Sequence, residues 1–195
     1  MKILIVGDKE SSYIWDHFDR ERFKDIDLTL SSGDLKAEYL SFLVTMIKAP
    51  LFYVHGNHDG NYMTNEPLGC VNIDDKIVVH NNIRILGLGG SQAYNFGPFQ
   101  YTEKDMQTRV KKLRRTIKKH NGFDILLSHA PAFGLGDGDD LCHRGFQVFL
   151  ELLDEYKPKY FIHGHQHLNY GRQKRYLTYN ETTIINAYEY HIFEY

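Results

Sequence analysis

Residues 51–59 read Leu51-Phe52-Tyr53-Val54-His55-Gly56-Asn57-His58-Asp59. A short apolar, strand-forming run stops at a glycine, and residues able to ligate a metal or carry a proton follow at once. The same junction recurs on both sides of it. Towards the N-terminus, Lys2–Val6 runs into Gly7-Asp8-Lys9-Glu10, and Asp27–Leu30 runs into Gly33-Asp34. Towards the C-terminus, Asp124–Leu127 runs into Ser128-His129, and Lys159–Ile162 into Gly164-His165-Gln166-His167. Helical spacing fills the gaps between the first three strands. Ser12–Phe23 puts Ile14, Trp15 and Phe18 on one face, and Lys36–Lys48 does so with Leu40, Leu43, Val44 and Ile47. A βαβαβ opening of this kind predicts a parallel sheet with right-handed crossovers.

The middle of the chain changes character. Lys76–Val79 and Ile83–Leu88 flank His80-Asn81-Asn82, which reads as a β-hairpin. Thr102–His120 reads as a long helix and Phe146–Tyr156 as another, while Tyr176–Tyr179, Thr182–Asn186 and Tyr188–Phe193 read as antiparallel strands. The class is α/β, with one mixed sheet or two facing sheets. Residues 1–195, 42% hydrophobic and 25% charged, suit a single globular domain without linkers or repeats. A net charge of -2 points to neither nucleic acid nor a membrane surface. The apolar run Ile3–Val6 is too short for a signal peptide, and Cys70 and Cys142 alone make no disulfide framework. A cytoplasmic protein is the simplest expectation.

Functional groups of parallel sheets gather at the carboxyl ends of strands. Five such ends would bring together three carboxylates, an amide and several imidazoles, more than one metal needs. Two metals sharing a carboxylate fit better. His165 and His167 are two apart, so in an extended segment both face the same way.

From Met1 to about His167 this pattern resembles the calcineurin-like metallophosphoesterase family. Gly33-Asp34, Gly56-Asn57-His58-Asp59, His129 and Gly164-His165-Gln166-His167 match its motifs in order, each after a strand. The resemblance implies two facing mixed β-sheets flanked by helices, a four-layer α/β/β/α sandwich. It also implies two divalent ions, with Mn or Fe ahead of Zn, Mg or Ni, and a phosphoester substrate. Asp34 would bridge the ions, Asp8 and His167 would hold the first, and Asn57, His129 and His165 the second. His58 would stand near the leaving oxygen, with Asp59 orienting its ring. A hydroxide bridging the ions would attack phosphorus.

One motif departs: Glu10 stands where the family usually has histidine. As a ligand it would face the first site together with Asp8 and favour a hard ion there. It also keeps alive an alternative, a degenerate scaffold or interaction module, which the C-terminal Tyr188, Tyr190, Phe193 and Tyr195 support as a partner or homo-oligomer surface. Phosphoprotein phosphatases of that family carry an arginine soon after the second motif, whereas here Leu35, Lys36, Ala37, Glu38 and Tyr39 follow Asp34; the resemblance therefore implies a phosphodiester, a cyclic nucleotide for instance, ahead of a monoester. Pro131–Gly145 and Gly89–Tyr101 would form the rims of the crevice, with Tyr94, Asn95, Asp140 and His143 as substrate contacts. His17, His80, His120 and His191 read as surface or turn residues, and His55 and His163 as bonded strand-end residues. The basic run Arg109–His120 reads as the solvated face of a helix whose Val110, Leu113 and Ile117 are buried.

Overall fold

Strands with apolar residues at every position bury both faces, and the strand-end pattern above leads to that arrangement. The computed structural model describes residues 1–168 and 174–195. In chain order the elements are β1 (Lys2–Gly7), α1 (Ser12–Trp15), α2 (Arg20–Phe23), β2 (Leu28–Ser31), α3 (Ala37–Ile47), β3 (Leu51–Tyr53) and a 3₁₀ turn, Asp59–Met63. There follow β4 (Val71–Asn72), β5 (Lys76–His80), β6 (Ile83–Leu88), β7 (Ser91–Gln92), β8 (Gln100–Tyr101) and α4 (Glu103–Lys119). Then come β9 (Ile125–Ser128), α5 (Gln147–Tyr156), β10 (Tyr160–His163), β11 (Tyr176–Tyr179), β12 (Thr182–Asn186) and β13 (Glu189–Glu194).

Two sheets face each other. One has the order β13-β1-β2-β3-β4, the other β11-β12-β10-β9-β6-β5, and β7 pairs with β8 in a small ribbon. β1, β2, β3 and β4 run parallel, as do β6, β9, β10 and β12; β13, β5 and β11 add antiparallel partners. Alternation along each strand sorts the core into three. Ile3, Ile5, Leu28, Leu30, Ile125 and Leu127 fill the space between the sheets. Leu4 and Val6 turn outward against Ile14, Phe23, Leu40 and Leu43 of the helices on that side. Leu126 and Phe161 turn outward against Val110, Leu113, Phe149 and Leu152 of α4 and α5. The layers are therefore helix, sheet, sheet, helix, the expected sandwich. Truncating one of these side chains to alanine would cost about 2–5 kcal/mol. α4 begins with a capping box in which Thr102 Oγ1 accepts from the Asp105 amide (3.2 Å) and Asp105 Oδ2 accepts from the Thr102 amide (3.0 Å). Its exposed side carries Lys111, Lys112 and Arg115, while Met106, Val110, Leu113 and Ile117 are buried.

Two expectations are corrected. Ser12–Phe23 is not one helix: it breaks after Trp15, and Asp19 Oδ1 accepts from the Glu21 amide at 3.0 Å to start α2. The tail strands are not one antiparallel group either. β11 and β12 form the expected hairpin, but β12 also lies parallel to β10, and β13 joins the other sheet beside β1. The C-terminal aromatics pack inside this arrangement. Tyr190 stacks on Tyr13, Tyr160 sits between Phe193 and Tyr195, and Tyr188 and Phe193 are buried.

Candidate metal centre

The carboxyl ends of β1, β2 and β3 meet those of β9 and β10 at one edge of the sandwich. Asp8, Asp34, His58, His165 and His167 line a cavity of about 310 Å³ there, and His143 closes one side. Asp8, Asp34 and His165 each leave their strand in the left-handed region, at φ 64°, 56° and 66°. A side-chain-bearing residue pays roughly 1–2 kcal/mol for that conformation, so it persists only where the surroundings impose it. Each amide is held: Asp8 N donates to the Gly33 carbonyl (3.1 Å), Asp34 N to Asp59 Oδ2 (2.9 Å) and His165 N to Asp8 Oδ1 (2.7 Å). The neighbouring glycines serve by their size. A Cβ on Gly56 would stand 2.0 Å from Asp34 Oδ1, and one on Gly164 would stand 2.6 Å from Asp8 Oδ2.

The side chains then present electron pairs to one another. His129 Nδ1 donates to the Ser32 carbonyl (2.8 Å), which turns Nε2 toward Asn57 Oδ1 at 3.0 Å and Asp34 Oδ2 at 3.3 Å. Asn57 Nδ2 donates to the Tyr94 hydroxyl (3.2 Å), so its amide oxygen is the atom turned to the cluster. His165 Nε2 donates to the Cys142 carbonyl (2.5 Å), leaving Nδ1 as a donor of electrons. Ligand atoms of Asp34, His129 and His165 all lie within 4.8 Å of one another. The Asp8 carboxylate is 1% exposed, and among the described residues its Oδ2 has no hydrogen-bond partner. Buried oxygen and nitrogen donors that converge in this way suit a divalent cation, which would take the place of the proton on His129 Nε2. The residues present fit that group.

Protonation of the metal-free protein reflects the same crowding. Burial, then the charge of Asp34, pushes Asp8 up to about 7. Burial opposes a charge on His129, but Asp34 and Asp8 outweigh it and raise the imidazole to about 9. Asp34 is held at about 2, because His129 overcomes the burial that acts against it. Burial and the charge on His129 keep His165 neutral, at about 3.

The other expected residues fall into place unevenly. His58 is exposed at the cavity, anchored by its amide to Asp34 Oδ1 (2.8 Å). His167 is half-buried, with its ring 4.9 Å from that of Tyr188. Asp59 is buried, but among the described residues no hydrogen bond joins it to the His58 ring. Its Oδ2 instead accepts from the amides of Gly56 (2.7 Å) and Asp34 (2.9 Å), fastening the β2 and β3 loops together. Burial, then Asp34, raises it to about 6. Glu10 is not brought to the cluster. Its Oε1 accepts from the Lys36 amide (3.1 Å), and it lines a separate pocket with Lys36, Ser12 and Trp15. Asn95 Oδ1 is spent within its own loop on the Gly97 amide and Gln100 Nε2. Asp140 does not line the cavity, but it binds the His143 ring that does (2.9 Å).

His55 and His163 are bonded within the protein, His55 Nδ1 to Asp74 Oδ2 (2.6 Å) and His163 Nδ1 to the Gly164 carbonyl (3.0 Å). Three supporting residues had escaped notice: Ser32, whose carbonyl orients His129; Cys142, whose carbonyl orients His165; and Gln166, whose Nε2 donates to the His143 carbonyl (2.7 Å). Backbone acceptors leave no trace in a sequence, but Asp140-Leu141-Cys142-His143 did offer a group of ligand types.

Residues 1–169 match the sequence model of the calcineurin-like phosphoesterases. No curated protein matches the chain. Among solved structures, one superimposes with a TM-score of 0.67 at 16% identity, covering 98% of this chain and 93% of its own. The TT1561 protein of Thermus thermophilus gives 0.66 at 13% identity, covering 96% of this chain and 89% of its own. A 5'-nucleotidase from Candida albicans gives 0.57 at 13% identity, covering 95% of this chain but 44% of the nucleotidase. At these identities the likeness concerns the fold. Among the described residues no helix is long and apolar enough to cross a membrane.

Proposed function

The chain belongs to the calcineurin-like phosphoesterase family, and from that premise we propose that it is a single-domain, metal-dependent phosphodiesterase with a dinuclear centre. The convergence of Asp8, Asp34, Asn57, His129 and His165, all offering lone pairs, carries this reading. Asp34 would bridge the two ions. Asp8 and His167 would hold one ion, and Asn57, His129 and His165 the other; Glu10, bound to Lys36, is left out. When bound, the ions supply Lewis-acid activation of the phosphoryl group and of the attacking water.

The chain's own residues do the rest. Tyr94 turns the Asn57 amide so that oxygen faces the cluster. Ser32 and Cys142 fix the histidine tautomers through their carbonyls, as second partners of metal ligands do. His58, exposed beside the cluster, donates a proton to the leaving oxygen. Diesters are favoured because, among the described residues, no lysine or arginine lines the cavity to offer a dianionic monoester a cationic fork. Lys36, the nearest cation in sequence to Asp34, lines the pocket with Glu10 instead.

The test is metal analysis of the purified protein, with turnover of bis-p-nitrophenyl phosphate and p-nitrophenyl phosphate before and after chelation. Bound metal and chelator-sensitive turnover of the diester support the proposal. Metal-free protein that neither takes up Mn²⁺ nor turns over either ester would return the chain to the scaffold reading.

A further inference from the structure

The loop after β9 holds a second set of ligand atoms, outside the donors assigned to the cavity. Cys142 Sγ lies 3.1 Å from Asp140 Oδ1 and 3.2 Å from His143 Nδ1, and His143 Nδ1 lies 2.9 Å from both Asp140 oxygens. Asp140 Oδ1 also accepts from the His143 amide at 2.8 Å. Three hydrogens, from an amide, an imidazole and a thiol, thus converge on one carboxylate oxygen that has two lone pairs. Replacing the thiol and imidazole hydrogens by one cation relieves that crowding.

We propose that Asp140, Cys142 and His143 form a third cation site, specific for a thiophilic divalent ion such as Zn²⁺. The donor set argues the class of ion: thiolate, imidazole and carboxylate together suit Zn²⁺, whereas the cavity offers only oxygen and nitrogen. Tetrahedral bonds of about 2.0–2.3 Å put neighbouring donors roughly 3.3–3.6 Å apart, a few tenths of an ångström wider than here. The backbone that carries the donors is braced from outside the loop. The Cys142 carbonyl accepts from His165 Nε2, and the His143 carbonyl accepts from Gln166 Nε2 (2.7 Å) and the Gly138 amide (2.9 Å).

Binding balances in charge and protons. The Cys142 thiol releases its proton to solvent, and the His143 proton moves from Nδ1 to Nε2. Asp140 is already ionised, held at about 2 by its bonds from His143 and Cys142. A thiolate and a carboxylate then neutralise the ion. His143 also lines the cavity, so an ion on Nδ1 would fix the ring and its Nε2 hydrogen at the cavity wall. A role for that hydrogen toward an ester depends on the phosphoesterase reading; the site itself does not.

The experiment is a Co²⁺ titration of the full chain, followed by thiolate-to-cobalt charge-transfer absorption in the near ultraviolet. The described cavity residues include no sulfur, so this band reports the loop alone. The expected band saturates with an amplitude of one thiolate-bound ion per chain, is displaced by Zn²⁺, persists in Cys70→Ser and disappears in both Cys142→Ser and Cys142→Ala. Asp140→Asn and His143→Ala should each weaken Co²⁺ binding by about 10–100-fold. Absence of the band, its survival in Cys142→Ser, or unchanged affinity in both Asp140→Asn and His143→Ala would overturn the proposal. A normal band in a protein without chelator-sensitive esterase turnover would sustain the loop site and count against the proposed function.

Discussion

Asp8→Asn should stabilise the metal-free protein and at the same time remove its response to metal. The Asp8 carboxylate is 1% exposed, and its pKa rises from 3.8 to about 7 through burial and the nearby Asp34. At about 1.4 kcal/mol per pH unit, this rise corresponds to roughly 4 kcal/mol as an upper figure. The folded state binds the proton more tightly than the unfolded chain, so stability falls as pH rises from near 4 to about 7 and then levels off. Asparagine carries no such charge. It also tolerates the left-handed backbone of position 8, at φ 64°, and keeps an oxygen for the His165 amide. Chemical denaturation in chelator should therefore give nearly equal stabilities at pH 4 and an advantage for Asp8→Asn of several kcal/mol at pH 8. Added Mn²⁺ should close most of that gap at pH 8 by stabilising the wild type alone: at a hundredfold excess over its dissociation constant it stabilises a binding protein by about 2.7 kcal/mol. A variant no more stable than wild type at pH 8 in chelator would refute the reasoning, as would a gain equally large at pH 4.

Four further outcomes can be checked with the same preparations. His58→Ala should lower turnover by about 10²–10⁴-fold with metal content unchanged, by elemental analysis; loss of metal would make His58 a ligand instead. Asp59→Ala should cost about 2–4 kcal/mol in denaturation at pH 7, because two buried amides lose their acceptor, and Asp59→Asn, which keeps an oxygen, should cost less. Gly56→Ala should weaken Mn²⁺ binding by about 10–100-fold, measured by calorimetry, since its methyl group would displace the Asp34 carboxylate. Glu10→Gln should leave metal affinity and the pH–rate profile unchanged, because Glu10 serves the Lys36 amide through an oxygen that glutamine retains.

The fold and the convergence of these side chains were legible because both depend on local pattern. An apolar run ending in ligand residues needs no tertiary information to be seen at Asp8, Asp34, Asn57, His129 and His165. What was not legible was the backbone geometry that aims them. The expectation that His165 and His167 share a face assumed an extended segment, but β10 ends at His163 and His165 turns left-handed. Gly56 and Gly164, beside these ligand types, are not where the chain turns sharply. They supply space, while Asp8, Asp34 and His165 take up the positive φ themselves. Glu10 shows the same limit: past the left-handed Asp8 the alternation of faces is lost, and its carboxylate reaches Lys36. The second partner of β12 was hidden because parallel pairing joins residues distant in sequence, and no turn signal announces it.

The hydrogen bonds from His129 to Ser32 and from His165 to Asp8 each run from one sheet to the other. The cluster therefore works as a polar seam at one edge of two sheets whose facing sides pack through apolar side chains. Any breathing motion that parts the sheets at this edge separates the donors, so opening of the sandwich and loss of the ligand geometry become one event. An ion held there would act as a rivet, and its residence time would set how often the edge of the sandwich can gape.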